Sequence, residues 1–162
     1  MAKCYFHGLN WVNNKFVSYN YFCLKRLLKY SHLSSLQVIL RGNTELSAGS
    51  EHFLYYAIMG NKLYNSKLAP YHGEIVSIGT LITLWCYKYM NNQSDWFDKL
   101  KKAYIKLGLP VNFVDLEKIG ITLDSLIESY SHFTNKSYLV CELVSKIGIK
   151  EILMEVFGEK RS

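Results

Sequence analysis

From Ile75 to Tyr87 the chain carries no charged residue, and the run is broken only by Ser77, Gly79, Thr80 and Thr83. A bilayer-spanning helix needs about 20 apolar residues, so this stretch is too short to cross a membrane. A helix apolar on nearly every side belongs in a protein interior. The segment predicts a long, buried central helix over about Glu74 to Met90, ended by Asn91-Asn92, and the rest of the chain must supply its cover.

The remaining periodicities are also helical. Between Trp11 and Tyr30, the residues Phe16, Tyr19, Phe22, Cys23, Leu27 and Tyr30 recur at helical intervals, while Lys25, Arg26 and Lys29 fall elsewhere. Ser34 to Leu40 forms a second helical stretch that runs into Arg41-Gly42-Asn43, a natural stop. A third opens near Ser47, carries Glu51, His52, Tyr55, Tyr56 and Met59, and ends at Gly60-Asn61. Ser94 or Asp95 caps a helix that Gly108-Leu109-Pro110 stops. A turn of helix around Val114 to Glu117, a helix capped by Thr122 with Asp124 in its first turn, and two last helices separated by Gly148 complete the chain. Strand-like alternation and fixed-period repeats are absent. The expectation is an all-α fold, one helical bundle forming a single domain over residues 1–162.

A hydrophobic content of 49% suits a core of ordinary size. The formal charge of +6 permits an acidic partner, nucleic acid included, but the lysines are spread along the chain. The densest group, Lys99, Lys101, Lys102 and Lys106, shares a helix with Trp96, Leu100, Ala103, Tyr104 and Leu107. That apolar set is expected to face the core, leaving Lys99, Lys102 and Lys106 as a solvated face. Cys4, Cys23, Cys86 and Cys141 lie far apart without metal-ligand or disulfide spacing and read as reduced core residues. No secretory leader pattern opens the chain, so a cytoplasmic protein without membrane insertion is expected. The thirteen tyrosines are expected mostly in the core or at its rim, and an exposed cluster would mark an interface with a protein partner or a second copy.

Chemistry concentrates in Ser47-Ala48-Gly49-Ser50-Glu51-His52 and in Pro70-Tyr71-His72-Gly73-Glu74. Two imidazoles at neighbouring helix starts can converge on one divalent ion, for which His52 and His72 are the candidate ligands. A catalytic zinc needs a third protein ligand and an open position. By spacing alone, two such histidines are more often caps or satisfied core groups. Glu51 and Glu74 either orient the histidines or act as bases, or they complement the helix dipole. No phosphate loop, nucleophile elbow or GxGxxG segment is present.

Gly49-Ser50-Glu51-His52 before one apolar helix, and His72-Gly73-Glu74 before another that carries Gly79, resemble the glycerol-1-phosphate dehydrogenase family, within the iron-alcohol-dehydrogenase and dehydroquinate-synthase superfamily. The resemblance continues through Asp95-Trp96, Leu107-Gly108-Leu109-Pro110 and Ile119-Gly120-Ile121. It implies the helical, metal-binding C-terminal domain of that family, in which two histidines and an aspartate hold zinc. Gly8-Leu9-Asn10-Trp11, Lys15-Phe16 and Phe22 resemble the family's segment that holds this aspartate, which puts Trp11 at the aspartate position; Asn10 or His7 would have to reach the site from a different backbone position and are not expected to replace it. An indole has no lone pair free for a metal. Tyr56 stands where the family commonly carries a further histidine near the substrate. The nucleotide-binding half is missing, so no nicotinamide cofactor and no dehydrogenase activity are expected of the isolated chain, and any zinc would be weakly held.

Three readings follow. The first is a non-catalytic relative of the helical domain that serves as a binding or assembly module. The second is the metal-binding half of a split NAD(P)-dependent enzyme, completed by a separate nucleotide-binding subunit. The third is a bundle reused for nucleic acid, resting only on charge and aromatic content.

Overall fold

The computed structural model describes residues 50–60, 70–91, 95–131 and 139–158, together with Lys25, Leu28, Lys29, His32, Ser35, Leu36, Ile39, Leu40 and Gly42. The chain falls into two compact units, Met1–Gly49 and Ser50–Ser162. In the first unit, all the described residues except Gly42 are helical. There His32 Nδ1 donates to the Leu28 carbonyl at 2.8 Å, and the Gly42 N–H closes a turn on Ile39 at 3.3 Å. The expected apolar face of Phe16, Tyr19, Phe22, Cys23, Leu27 and Tyr30 lies outside the described residues.

The second unit contains α1 (Ser50–Gly60), α2 (His72–Asn91), α3 (Asp95–Leu107), α4 (Phe113–Lys118), α5 (Leu123–Ser131), α6 (Leu139–Ile147) and α7 (Ile149–Phe157). Among the described residues there is no strand, as the periodicities require. The uncharged segment is indeed central. α2 packs against α1, α3, α6 and α7, while α5 packs against α1 and α7, and α6 against α7. Ile75, Ile78, Leu81, Ile82 and Cys86 of α2 are fully buried, with Leu54 of α1, Leu126 of α5 and Ile152, Leu153 and Val156 of α7. Burying each such aliphatic side chain contributes about 1.5–3 kcal/mol relative to exposure.

The hydroxyls of α2 are satisfied within the helix itself. Ser77 donates to the Glu74 carbonyl at 2.7 Å, Thr80 to Val76 at 2.8 Å and Thr83 to Gly79 at 2.8 Å. Back-bonding of this kind is how a buried helix tolerates serine and threonine, because an unpaired buried hydroxyl would cost about 1–3 kcal/mol.

Helix ends follow their residues. α3 stops in a Schellman motif: Gly108 has φ 69°, its N–H reaches Ile105 O at 3.2 Å, and Leu109 N–H reaches Tyr104 O at 3.0 Å. α4 stops the same way at Gly120, φ 78°, with Ile121 N–H on Leu116 O at 3.0 Å. Both positions need the left-handed conformation that only glycine adopts without strain. Asn112 caps α4 by accepting the Asp115 N–H at 2.8 Å. Thr122 caps α5 in a reciprocal box with Ser125: Ser125 N–H donates to Thr122 Oγ1 at 3.1 Å, and Thr122 N–H to Ser125 Oγ at 3.0 Å.

The buried face of α3 differs from the one the sequence suggests. Phe97, Leu100 and Ala103 are buried, whereas Trp96 is only partly covered and Leu107 is 41% exposed. Adjacent aromatics at 96 and 97 both fit a helical stripe, and packing against α2 selects Phe97. Lys101, on the flank of that face, donates to the Val156 carbonyl near the C-terminus of α7, where a cation opposes the helix dipole. Lys99 pairs with Asp95 at 3.3 Å, and Lys102 and Lys106 are exposed. Cys86 and Cys141 are free thiols. Among the described residues no helix is long and apolar enough to cross a membrane.

Candidate functional site

α1 meets α2 with its Glu51 backbone against Gly79, seven residues after His72. Gly79 makes the meeting possible: a Cβ built there would lie 2.5 Å from the Glu51 carbonyl oxygen and 2.8 Å from the Glu51 Cα. Only glycine admits the backbone of α1 that close. One turn further along α1, Tyr55 lies against His72, at the opposite end of the α2 contact from Gly79, so the two helices run in opposite senses.

His52, in the first turn of α1, and His72, the first residue of α2, come together with ring centroids 5.3 Å apart and planes tilted by 50°. His72 is exposed and His52 partly covered. Tyr55 meets the His72 ring edge-on, at a centroid distance of 4.3 Å and an interplanar angle of 79°. Tyr55 was legible only as one of many tyrosines; its place three residues after His52, on the same helix face, was the available signal.

Glu51 and Glu74 have different tasks. Glu74 accepts the Tyr71 N–H at 2.7 Å, closing the first turn of α2. Glu51 Oε1 lies 3.1 Å from His52 Nδ1. A carboxylate only accepts, so His52 carries its proton on Nδ1, and in the neutral ring Nε2 keeps its lone pair. Glu51 also acts on Tyr104 of α3. Burial first, and then the Glu51 charge, push the Tyr104 hydroxyl up to about 12, with a hydrogen bond to Thr80 working the other way. Tyr104 is therefore a neutral phenol at ordinary pH.

Two imidazoles would supply part of a zinc site. An ion held at about 2.0–2.1 Å by one nitrogen of each ring, at a near-tetrahedral angle, places the ring centroids roughly 5 Å apart. The observed centroid separation is 5.3 Å. Among the described residues no group of three His, Cys, Asp or Glu side chains gathers to hold a metal. His7, Asn10 and Trp11, where the family resemblance seeks the further ligand, lie outside the described residues. Tyr56 is 63% exposed, and its ring meets Tyr55 at 5.6 Å.

Among the described residues, the two cysteines and Tyr130 are held in their neutral forms. Burial pushes the Cys86 thiol up to about 12, and burial also raises Cys141. Tyr130 is driven up as well, chiefly by burial. No family model, curated protein or solved structure matches this chain.

Proposed function

We propose that the chain is a non-catalytic helical module for binding or assembly, related to the helical domain of glycerol-1-phosphate dehydrogenases and carrying a remnant of its metal site. The observation that carries this reading is the His52–His72 pair: two imidazoles in contact, with one ring oriented by Glu51 and the other packed by Tyr55. Among the described residues these two imidazoles give a divalent ion half a coordination shell, below the three protein ligands a catalytic zinc requires. The test joins two measurements on the purified chain. Turnover of dihydroxyacetone phosphate with a nicotinamide cofactor is expected to be absent. Zinc is expected to bind weakly and to be lost on dialysis, with its histidine ring NMR shifts abolished in His52→Ala. Robust turnover would end the proposal.

A second reading, the metal-binding half of a split NAD(P)-dependent enzyme, is favoured by the Glu51–His52 hydrogen bond. A carboxylate on Nδ1 is the arrangement that orients a histidine to bind metal through Nε2 and raises its basicity. In that enzyme, zinc would polarise a substrate oxygen, and a separate subunit would bring the cofactor and a third ligand. Stoichiometric zinc that survives dialysis and disappears in both His52→Ala and His72→Ala would favour this reading over the first.

A further inference from the structure

On the side of α2 away from the histidines, Trp85 and Tyr89 stack with ring centroids 5.2 Å apart and planes 25° from parallel. With Ile147 of α6 and Glu151 and Glu155 of α7 they line an open cleft of about 540 Å³. That volume lies within the usual range for small-molecule sites. Trp85 is 8% exposed and Tyr89 56%, so the tyrosine is the accessible part of the aromatic wall.

The charges of this cleft run against the molecule. The chain is +6 overall, and Glu142, Asp95, Asp98 and Asp115 are each paired with a lysine. Glu151 and Glu155 are exposed, and among the described residues neither forms an ion pair. Like charges four residues apart on a helix repel, and while the dipole of α7 offsets this for Glu151 in its first turn, Glu155 lies beyond that turn and gains from a counter-cation. The aromatic faces beside it favour the same partner, because the ring quadrupole attracts cations. Compact inorganic cations would gain little from an apolar wall. An organic cation would gain from the wall and from both carboxylates.

From these observations we infer that the cleft binds a linear aliphatic diamine. Four residues of α-helix rise about 6 Å, which is roughly the span between the nitrogens of an extended four-carbon diamine. One ammonium group is held by Glu151, the other by Glu155, and the methylenes lie along Tyr89, Trp85 and Ile147. Binding is non-covalent and leaves the ligand unchanged.

The probe is 1,4-diaminobutane, titrated into the full chain at constant ionic strength by calorimetry and by ¹H–¹⁵N NMR, with 1-aminobutane and N-acetyl-lysine amide as single-amine arms. The diamine is expected to bind saturably, at least about tenfold tighter than either monoamine, with shifts confined to α2, α6 and α7. Glu151→Gln and Glu155→Gln together are expected to weaken it by about tenfold or more, and Tyr89→Leu by severalfold. Far-UV circular dichroism checks that these surface variants remain folded. Equal affinity for monoamine and diamine, equal affinity in the double glutamine variant, or shifts spread over the whole surface would each overturn the inference.

Discussion

Replacing Gly79 by alanine sets two opposing effects against each other. In an exposed helix the change is favourable by about 1 kcal/mol, because alanine is the better helix former. Here the new methyl would stand 2.5 Å from the Glu51 carbonyl oxygen, 2.8 Å from its Cα and 3.0 Å from its carbonyl carbon. Ordinary carbon–carbon contacts begin near 3.5 Å, so α1 and α2 must separate by several tenths of an ångström to about one. The obstacle is backbone, which no rotamer change relieves. Overpacking of this kind costs typically 1–3 kcal/mol, occasionally more, so the clash outweighs the propensity gain or at least cancels it. The loss also extends to Leu54 and Ile58 of α1, which are buried alongside. The net expectation is a destabilisation of about 0–2 kcal/mol, or up to several degrees in Tm for a domain of this size. Gly73→Ala is the internal control: it lies in the same helix, with nothing within 4 Å of the new methyl. It should be neutral or slightly stabilising. Urea unfolding followed by circular dichroism measures both. Gly79→Ala with a midpoint equal to or above that of Gly73→Ala would refute the close-approach argument.

The buried thiol and phenols make stability sensitive to alkali. Cys86 ionises at 9.0 when exposed and near 12 in the fold, and Tyr104 moves from 10.0 to about 12. Their protonated forms are the neutral ones, so above pH 9 the unfolded chain releases protons that the native chain keeps. The stabilisation is complete below pH 9 and lost progressively towards pH 12, at up to about 1.4 kcal/mol per pH unit for each group. Urea midpoints should therefore be level between pH 7 and about 9 and fall beyond, less steeply in Cys86→Ala; a level profile to pH 11 would contradict the burial of Cys86. Asn112→Ala removes the α4 cap and should cost about 1 kcal/mol by the same unfolding assay, with Asn112→Asp close to neutral. Lys101→Met keeps the stem but not the contact with the Val156 carbonyl, and should cost about 1 kcal/mol with no change in α3 helicity.

The class of fold and the order of helices in the second unit were legible because each helix there carries its own period and its own stop. The boundaries were less so. α2 begins at His72 rather than near Glu74, since Glu74 reaches back to close the turn at Tyr71, and the expected opening of α1 near Ser47 lies outside the described residues. On α3, adjacent Trp96 and Phe97 offered two stripes, and only the partner helix distinguishes them. His52 and His72 could be paired from sequence because each opens a helix and the two helices are consecutive. Tyr104 could not be placed near Glu51, because nothing local to either residue reports their proximity. Trp85, Tyr89, Glu151 and Glu155 were invisible as a group for the same reason: two helices far apart in sequence supply them, and no spacing rule links those helices.

The self-contained hydroxyls of α2 affect how its neighbours find their positions. Ser77, Thr80 and Thr83 spend their protons on the helix's own carbonyls, and the polar marks that α2 offers α3 are the Tyr104 hydroxyl at Thr80 and the Lys88–Asp98 pair at 2.8 Å. The notch at Gly79 supplies the mark for α1, since the Glu51 backbone fits there and a side chain would block it. α1 is therefore indexed on α2 by shape at Gly79. The separation of His52 and His72 inherits its tolerance from the absence of a single methyl group.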